Sequence, residues 1–596
     1  MKGPAQKRAL TTCIALAGCF TVFSYRLIDL QVTKHDEYAQ IAANNHVTRQ
    51  TIPARRGIIT DIRGEALAQN EPVRTVVADA TLITDRDAVA EIISKTLNIP
   101  HPQVMEKLTR VVYSQALKKD MPAPYVVLKK EVPVNLASDI MAQMAERKQR
   151  GIYLETDSTR VYPNEKMLCH ILGYVNGKNE GMDGVERTME QFLRGNDGFR
   201  YSERDRTGRE IVPYRGQEKE ARNGSNVRLI IDIGLQNIVE MELDAAVKQF
   251  RPKSATVILM NPKTGDILAM ATRPNFNLNV QDNVPEDHRR NRAITDMVEP
   301  GSTFKIVTTA AALTEKIVHP NTMINCENGY FASVKLHDHH PYPDLSVHDI
   351  LVHSSNIGVA KLAIQLGDQK FYEYVRRFGF GERTGINLPG EISGIVHPPH
   401  KWSKISITRM PMGQEVGATP LQVATAMCAI ANGGHLMMPQ IIHDISDDQG
   451  HVISQYPPQE VRTVASKAAT DAVRDALVEV VSPRGTATLA RVMGYKVAGK
   501  TGTAQKPEPD GHYGHDRYVV SFVGFMPAED PAFVGLVLFD EAQVSHDKNY
   551  GGMVAAPVFS RIGEKAARYL GLKPSVEEPV GSVMARQNTN NDYRDQ

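Results

Sequence analysis

The chain has 596 residues, 42% of them apolar and 23% charged, with 69 Lys and Arg against 68 Asp and Glu. That composition is globular and excludes a wholly disordered chain, and the length exceeds the roughly 250–300 residues over which one hydrophobic core grows, so two or more domains are expected. A net charge of +1 argues against a general nucleic-acid binder, and five cysteines without a CxxC pair exclude a disulfide framework and a cysteine zinc ribbon.

Residues 9–25 carry no charge and follow Lys2, Lys7 and Arg8. The run is at the short edge of the roughly 20 residues a membrane span needs, but Arg26 can snorkel and Leu27, Ile28 and Leu30 extend the apolar character. An uncleaved signal anchor is expected over residues 1–30, with the basic end cytoplasmic and the rest exported. Two other readings stay open. Leu16-Ala17-Gly18-Cys19 has the look of a lipoprotein cleavage box, and a cleaved signal peptide is the third possibility. One span is expected.

Residues 31–50 read as a polar helix leaving the membrane. Over 51–224 short strands alternate with helical pieces: a strand at 75–83, a helix at 87–97 and a strand at 125–132. Asn223-Gly224-Ser225 is a turn signal and a boundary. Beyond it come a strand and an amphipathic helix from Ile233 to Phe250. Apolar runs at 255–260 and 266–272 follow, joined by Asn261-Pro262-Lys263-Thr264-Gly265, a hairpin turn. Helical patterns occupy 303–316 and 420–432, and a second strand pair lies at 519–527 and 532–540. A sheet built from both ends of a domain, with helices from its middle, is an α+β sandwich. From about residue 573 the chain is polar and reads as a disordered tail.

Three short motifs carry chemistry. In Ser302-Thr303-Phe304-Lys305 a helix starting near the serine puts the lysine on the same face. A serine hydroxyl needs a base, and a buried lysine with a lowered pKa is one. In Ser354-Ser355-Asn356 a hydroxyl can relay a proton and an amide can hold a substrate carbonyl and N–H. In Lys500-Thr501-Gly502-Thr503, after the apolar Val497-Ala498, a strand edge offers a lysine and two hydroxyls to a carboxylate, and the glycine admits close backbone approach. A second Lys-Thr-Gly, at Lys263-Thr264-Gly265, precedes the serine and falls in the hairpin turn, so it is structural.

Singly these motifs are weak. Their order and spacing match the set found in penicillin-interacting serine enzymes, and at this point the chain resembles the penicillin-binding protein family. Arg56 through Asp61, with Gly64, Leu67 and Ala68, is similar to the first box of the N-terminal module of class B members, though Asp61-Ile62-Arg63-Gly64 departs from the usual turn. Arg160-Val161-Tyr162-Pro163 with His170 and Gly173 resembles the second box, and Gly181, Gly184, Glu186, Leu193, Gly195 and Gly198 the third. These boxes are structural, with Arg56 expected against Asp61 and Arg160 against Glu186. Arg517 to Pro527, Tyr550-Gly551-Gly552 and Ala556 to Phe559 look like division-type members.

The resemblance implies residues 1–30 as cytoplasmic tip and membrane anchor, 31–224 as a pedestal or dimerisation-type module, 225–572 as the transpeptidase domain (an antiparallel sheet sandwiched by helices) and 573–596 as the tail. It implies a single-pass protein of the cell inner membrane that cross-links peptidoglycan stem peptides at the division septum, binds β-lactams and needs no cofactor or metal. Ser302 would be the nucleophile, Lys305 its base and Ser354 the proton relay, bonded to Lys305 and Lys500. Asn356 would orient the acyl chain, and Thr501, Gly502 and Thr503 with Lys500 would hold the terminal carboxylate. A SEDS-family glycan polymerase and other division proteins would be partners, nucleic acid not.

Four alternatives remain open at this level. They are an elongation-type transpeptidase, a β-lactamase or D,D-carboxypeptidase with Glu391 as deacylating base, and a non-catalytic membrane-anchored penicillin sensor; and Cys326, His337, Asp338, His339, His340 and His348, read as a polar loop, could instead ligate a metal.

Overall fold

A computed structural model of the chain describes residues 3–36, 47–114, 119–203, 218–507 and 513–576. Most of the expected tail therefore lies outside the described residues. Two compact units are present: residues 1–55 with 194–224, and residues 56–193 with 225 onward.

In the first unit α1 (Pro4–Ile28) opens with proline in its first turn, where a missing N–H costs nothing. Leu16, Phe20 and Phe23 are among the large apolar side chains it leaves exposed, as a helix made for lipid does. Among the described residues it lies in the one stretch, Arg8–Thr33, long and apolar enough to cross a membrane. Of the polar helix expected over 31–50, residues 37–46 lie outside the described residues, and the described part at 47–50 is strand rather than helix. Asp29–Thr33 is a π turn, and Val47–Ile52 is strand β1, paired antiparallel with Gly198–Glu203 so that Val47 meets Glu203 and Ile52 meets Gly198. β-branched Val47, Thr48, Thr51 and Ile52 favour a strand once a partner is present.

In the second unit β2 (Ile59–Thr60) and β3 (Ala66–Ala78) are followed by α2 (Arg86–Leu97), β4 (Val126–Pro133), α3 (Val134–Glu146) and β5 (Ile152–Val161). The strand expected at 75–83 starts earlier and stops at Ala78, because Asp79 turns the chain by accepting from the Thr81 amide and hydroxyl. β3 pairs with β5 from Gln69↔Val161 to Ala78↔Ile152 and with β4 on its other side. Val76, Ala78, Val89, Ile92, Ile93, Leu128, Ile140 and Met144 close a small core beneath α2 and α3.

The same sheet runs on into the rest of the unit. β6 (Asn226–Leu229) lies parallel to β2, and it joins β9 (Ile442–Ser446) and β10 (Val452–Gln455) to give the order β10-β9-β6-β2-β3-β4, with β5 on β3. A buried ion cluster sits here. Glu186 accepts from Arg56 Nε at 2.7 Å and Arg160 Nε at 2.7 Å, and Glu190 pairs with Arg56 at 2.6 Å. Arg56 is thus not Asp61's partner. Asp61 is a turn residue, accepting from the amides of Arg63 and Glu65 at 2.8 Å each and from Ile233 N at 3.2 Å.

After β6, α4 (Ile233–Phe250) begins on Asp232, whose carboxylate caps Gly234 and Leu235. β7 (Ser254–Met260) and β8 (Ile267–Arg273) form the expected hairpin, its turn closed by Gly265 at φ +83°, where a Cβ would lie 2.3 Å from Met438 O. Helices α5 (Lys305–Thr314), α6 (Asn356–Leu366) and α7 (Pro420–Ala431) come from the middle of the chain. Strands β11 (Ala498–Pro507), β12 (Tyr513–Met526) and β13 (Phe533–Asp540) and helix α8 (Ala556–Tyr569) come from its end. The sheet order is β8-β7-β13-β12-β11, antiparallel throughout. Every residue of β7 is buried, so both sheet faces are covered by helices, and the sheet draws its strands from both ends of the domain as the apolar runs led one to expect. One core runs from Ile59, Leu67 and Tyr162 through Leu235, Val257 and Phe304 to Phe522 and Phe559.

Candidate active site

Ser302 lies in a single 3₁₀ turn, Gly301–Phe304, that feeds directly into α5, and Lys305 is the first residue of that helix. The helix expected from residue 303 therefore starts two residues later. The reason is backbone crowding. Gly301 adopts φ +57° with Thr503 O 3.2 Å from where a Cβ would be, and a Cβ on Gly413 would stand 2.3 Å from Gly301 O. Gly502 is as constrained on the strand side: its Cβ would meet Ser521 Oγ at 2.3 Å and Pro300 O at 3.1 Å. Glycine on both sides lets the serine turn lie directly on β11. Gly413 carried no signal in the sequence, since its role appears only when three distant segments meet.

The three motifs converge. Lys305 is fully buried, and its ammonium donates to Ser354 O at 2.5 Å, Ser354 Oγ at 3.1 Å and Asn356 Oδ1 at 2.7 Å. Ser354 holds φ +59°, a left-handed conformation rare for a non-glycine residue, and this brings both its carbonyl and its hydroxyl onto Lys305. Asn356 also donates from Nδ2 to His337 O at 2.9 Å, which fixes its amide. Lys500 is fully buried, and among the described residues its ammonium has no hydrogen-bond partner. The expected Ser354–Lys500 bond is therefore not formed, since Ser354 is turned to Lys305. Thr501 Oγ1 lies 3.2 Å from Thr486 Oγ1, and Thr503, exposed on β11, accepts from Gly551 N at 3.3 Å. Thr486 was not singled out in the sequence, and Gly551 was marked there only as part of a division-type motif, not as a site residue. A hydroxyl beside a hydroxyl and a glycine at a helix start are too common to mark a site.

The electrostatics follow from burial. Removal from water holds the Lys305 amine well below its ordinary value, and the neighbouring Lys500 lowers it further, against an opposing pull from Asp338. Burial alone pushes Lys500 down to about 7. Two lysines, dry and without a carboxylate ligand among the described residues, make an amine that can take a proton from a hydroxyl beside a second cation that can face an anion.

The remaining candidates serve the scaffold. Lys263 pairs with Asp530 at 2.5 Å on the surface of the hairpin turn. Glu391 is buried and spends its carboxylate on the Thr384 amide at 2.7 Å, the Thr384 hydroxyl and the Gly385 amide at 3.2 Å. Of the histidine-rich stretch, His337 stacks on Tyr330 at 4.4 Å, His348 faces Glu479 at 3.6 Å, and Cys326 is buried against Ser355. Among the described residues no three His, Cys, Asp or Glu side chains gather as metal ligands.

Comparison with known proteins agrees with this geometry. Residues 255–564 match the family model of the penicillin binding protein transpeptidase domain, and residues 51–229 that of the penicillin-binding protein dimerisation domain. The chain is 31% identical over 570 residues to the peptidoglycan D,D-transpeptidase FtsI of Escherichia coli K12, covering 95% of this chain and 92% of that protein. It is 30% identical over 575 residues to stage V sporulation protein D of Bacillus subtilis, covering 96% and 86%. Its fold is similar to that of penicillin binding protein 2X from Streptococcus thermophilus, with TM-score 0.73 and 25% identity over 87% of this chain and 80% of that one. Related over nearly its whole length to such proteins, and carrying both domains in their order, the chain belongs to the penicillin-binding protein transpeptidase family, in its class B branch.

Proposed function

We propose that this chain is a peptidoglycan D,D-transpeptidase of the division septum, working through an acyl-enzyme on Ser302 and inhibited by β-lactams. One observation carries the reading: Lys305, fully buried at the foot of the helix that follows Ser302, is ligated among the described residues only by neutral groups of Ser354 and Asn356. That environment favours the free amine, which is what a serine nucleophile requires.

In the proposed reaction Lys305 takes the Ser302 proton as Oγ attacks the carbonyl between the two terminal D-Ala residues of a stem peptide. Amides of Ser302 and Thr503 receive the oxyanion, a contribution of about 2.7–4 kcal/mol per donor in comparable sites. The tetrahedral intermediate collapses, Ser354 passes a proton to the leaving nitrogen, and D-Ala departs. Thr501, Thr503 and Lys500 hold the terminal carboxylate across Gly502, and Asn356 orients the acyl chain. The amine of a second stem peptide then attacks the ester and frees Ser302. A β-lactam enters the same path, but its leaving group stays tethered. The assignment of 225–572 as the catalytic domain and 31–224 as its pedestal rests on the placement of all three motifs beyond residue 225.

Two features support an anchored, septal enzyme. The apolar helix follows a basic tip, which favours a cytoplasmic N-terminus and an exported catalytic domain in the inner membrane. The E. coli relative is named for the same D,D-transpeptidase activity, and by family resemblance a SEDS-family glycan polymerase supplies the strands to be joined. Glu391, committed to Thr384 and Gly385, is poorly placed to activate a deacylating water, which favours transpeptidation over hydrolysis.

Labelling with a fluorescent penicillin, followed by intact-mass and peptide mapping, tests the chemistry. The expected result is a single adduct on Ser302 that persists for hours. An adduct elsewhere, or one lost within seconds, overturns the proposal. A fluorescent fusion recruited to the septum supports the division role; one spread along the side wall assigns the chain to elongation.

A further inference from the structure

We propose that Asp338, outside all three motifs, is a positioning residue of the acylation site, its carboxylate holding the first turn of α6 and through it Ser354 and Asn356 against Lys305. The inference rests on the reading of Ser302 and Lys305 above.

The contacts are specific. Asp338 Oδ1 accepts from the amides of Asn356 at 2.5 Å and Ile357 at 3.0 Å, and Oδ2 accepts from the Ser355 hydroxyl at 2.6 Å. Ser355 Oγ in turn accepts from Gly358 N at 2.9 Å, the ordinary cap of that helix. A carboxylate therefore sits on three donors at a helix N-terminus, where both hydrogen bonding and the helix dipole favour negative charge. Each contact falls on the middle or last residue of Ser354-Ser355-Asn356, or on the residue after it.

The loop that carries Asp338 is itself held. Short strand pairs join Tyr330 to His337 and Phe331 to Leu336, Asp338 N donates to Gly329 O at 3.1 Å, and Arg409 donates to Val334 O at 2.8 Å. The preceding carbonyl, His337 O, receives the Asn356 amide. One loop thus fixes both the backbone and the side chain of Asn356, and Asn356 Oδ1 and Ser354 fix the Lys305 amine.

The carboxylate also contributes charge. Three charged or titratable neighbours bear on this site from the elements packed around it: Lys500 on β11, Asp338, and His339 on the same loop. Lys500 opposes a proton on Lys305 and Asp338 favours one. Burial, and the charges of Lys305, His340 and Lys500, keep the His339 imidazole below its ordinary range, so it adds little positive charge at neutral pH. Asp338 is the negative group that limits how far the amine is depressed.

A scaffold residue and a residue that also sets the charge of Lys305 predict different pH profiles. The test is the second-order rate of acylation by a fluorescent penicillin from pH 5 to 10, on the full chain in detergent, for wild type, Asp338→Asn and Asp338→Glu. Asn keeps the size but loses the charge and the second acceptor for Ser355. It should lower the plateau about 10- to 100-fold and move the acid limb to lower pH by about 0.5 or more. Glu restores the charge on a longer arm, so its acid limb should return toward wild type while the plateau stays reduced. A plateau that falls in D338N with the acid limb unmoved overturns the charge argument, and unchanged rates in D338N overturn the proposal. If D338N does not fold, D338E with a wild-type plateau overturns it. A wild-type chain that takes no label on Ser302 overturns the underlying serine mechanism instead, so the two failures are told apart.

Discussion

Two regions of this molecule bury pairs of cations, and they do it in opposite ways. In the N-terminal module Arg56 and Arg160 are 0% and 1% exposed, and Glu186, itself 0% exposed, lies between them. Arginine cannot shed its proton in a protein, so its burial demands a carboxylate and filled hydrogen bonds. Near Ser302, Lys305 and Lys500 are buried as deeply, yet neutral groups ligate the first and no hydrogen-bond partner among the described residues meets the second. Lysine tolerates this because it can give up its proton. Burial with a counter-ion yields a fixed joint, and burial without one yields a base.

Substitutions sharpen this contrast, beginning with the largest effect. Ser302→Ala should abolish the β-lactam adduct in intact-mass spectra while leaving the circular dichroism spectrum and melting temperature near wild type; a stable adduct on that variant would refute the nucleophile assignment.

Glu186→Ala should act in reverse, with a loss of about 3–5 kcal/mol in stability as two guanidiniums lose their shared partner. Acylation of the molecules that remain folded should stay close to normal. Denaturant melts combined with active-site titration measure both, and a stable variant with slow acylation would erase the distinction between the regions.

Lys500→Met should raise stability at pH 7 and reduce acylation. The folded pKa, near 7, lies below the ordinary 10.5, so between these values the unfolded chain binds a proton that the native state lacks. Native stability therefore rises with pH across that window, and the methionine variant should lose this slope and gain on the order of 1–3 kcal/mol at neutral pH. Melts at pH 7 and pH 9 would reveal it.

His170 supplies the smallest effect, at the seam between the module and the five-stranded sheet. Its Nε2 lies 2.8 Å from His288 O and its Nδ1 3.0 Å from Thr272 Oγ1. Burial lowers its pKa from 6.5 to about 4. The unfolded chain takes up this proton first as pH falls, so stability drops from about pH 6.5 downward, by about 1 kcal/mol at pH 5.5. His170→Gln should flatten that part of the pH–stability curve, read by thermal melts.

Much of the fold was legible because its signals are local. The helix at Ile233–Phe250, the hairpin around Gly265 and the strands of residues 519–527 and 532–540 follow from periodicity and turn chemistry confined to a few residues. The helix expected over 31–50 failed at Val47–Gln50 for the opposite reason: that part is a strand because Gly198–Glu203 lies beside it, and its β-branched residues alone do not specify that partner. The site divides the same way. Ser302, Lys305, Ser354, Asn356 and Lys500 were legible through order and spacing, while Gly413 and Thr486 were not, and Asp338 and Gly551 stood out only in other roles, in a polar or metal-ligating loop and in a division-type motif.

By itself the sequence determined the apolar helix, the order of the three motifs and the alternation of strands with helices, since each depends on side chains close together in the chain. It also determined which residues can do chemistry, because a hydroxyl, an amine and an amide are properties of single residues. Only the tertiary structure decided which acid answers which base. Arg56 meets Glu186 rather than Asp61, and Asp338 meets the turn at Asn356 rather than its histidine neighbours. It also decided the protonation preference of Lys305, which comes from the water its neighbours exclude and from Lys500, nearly two hundred residues along the chain. Dielectric and distance are properties of the packed molecule, and no run of letters holds them.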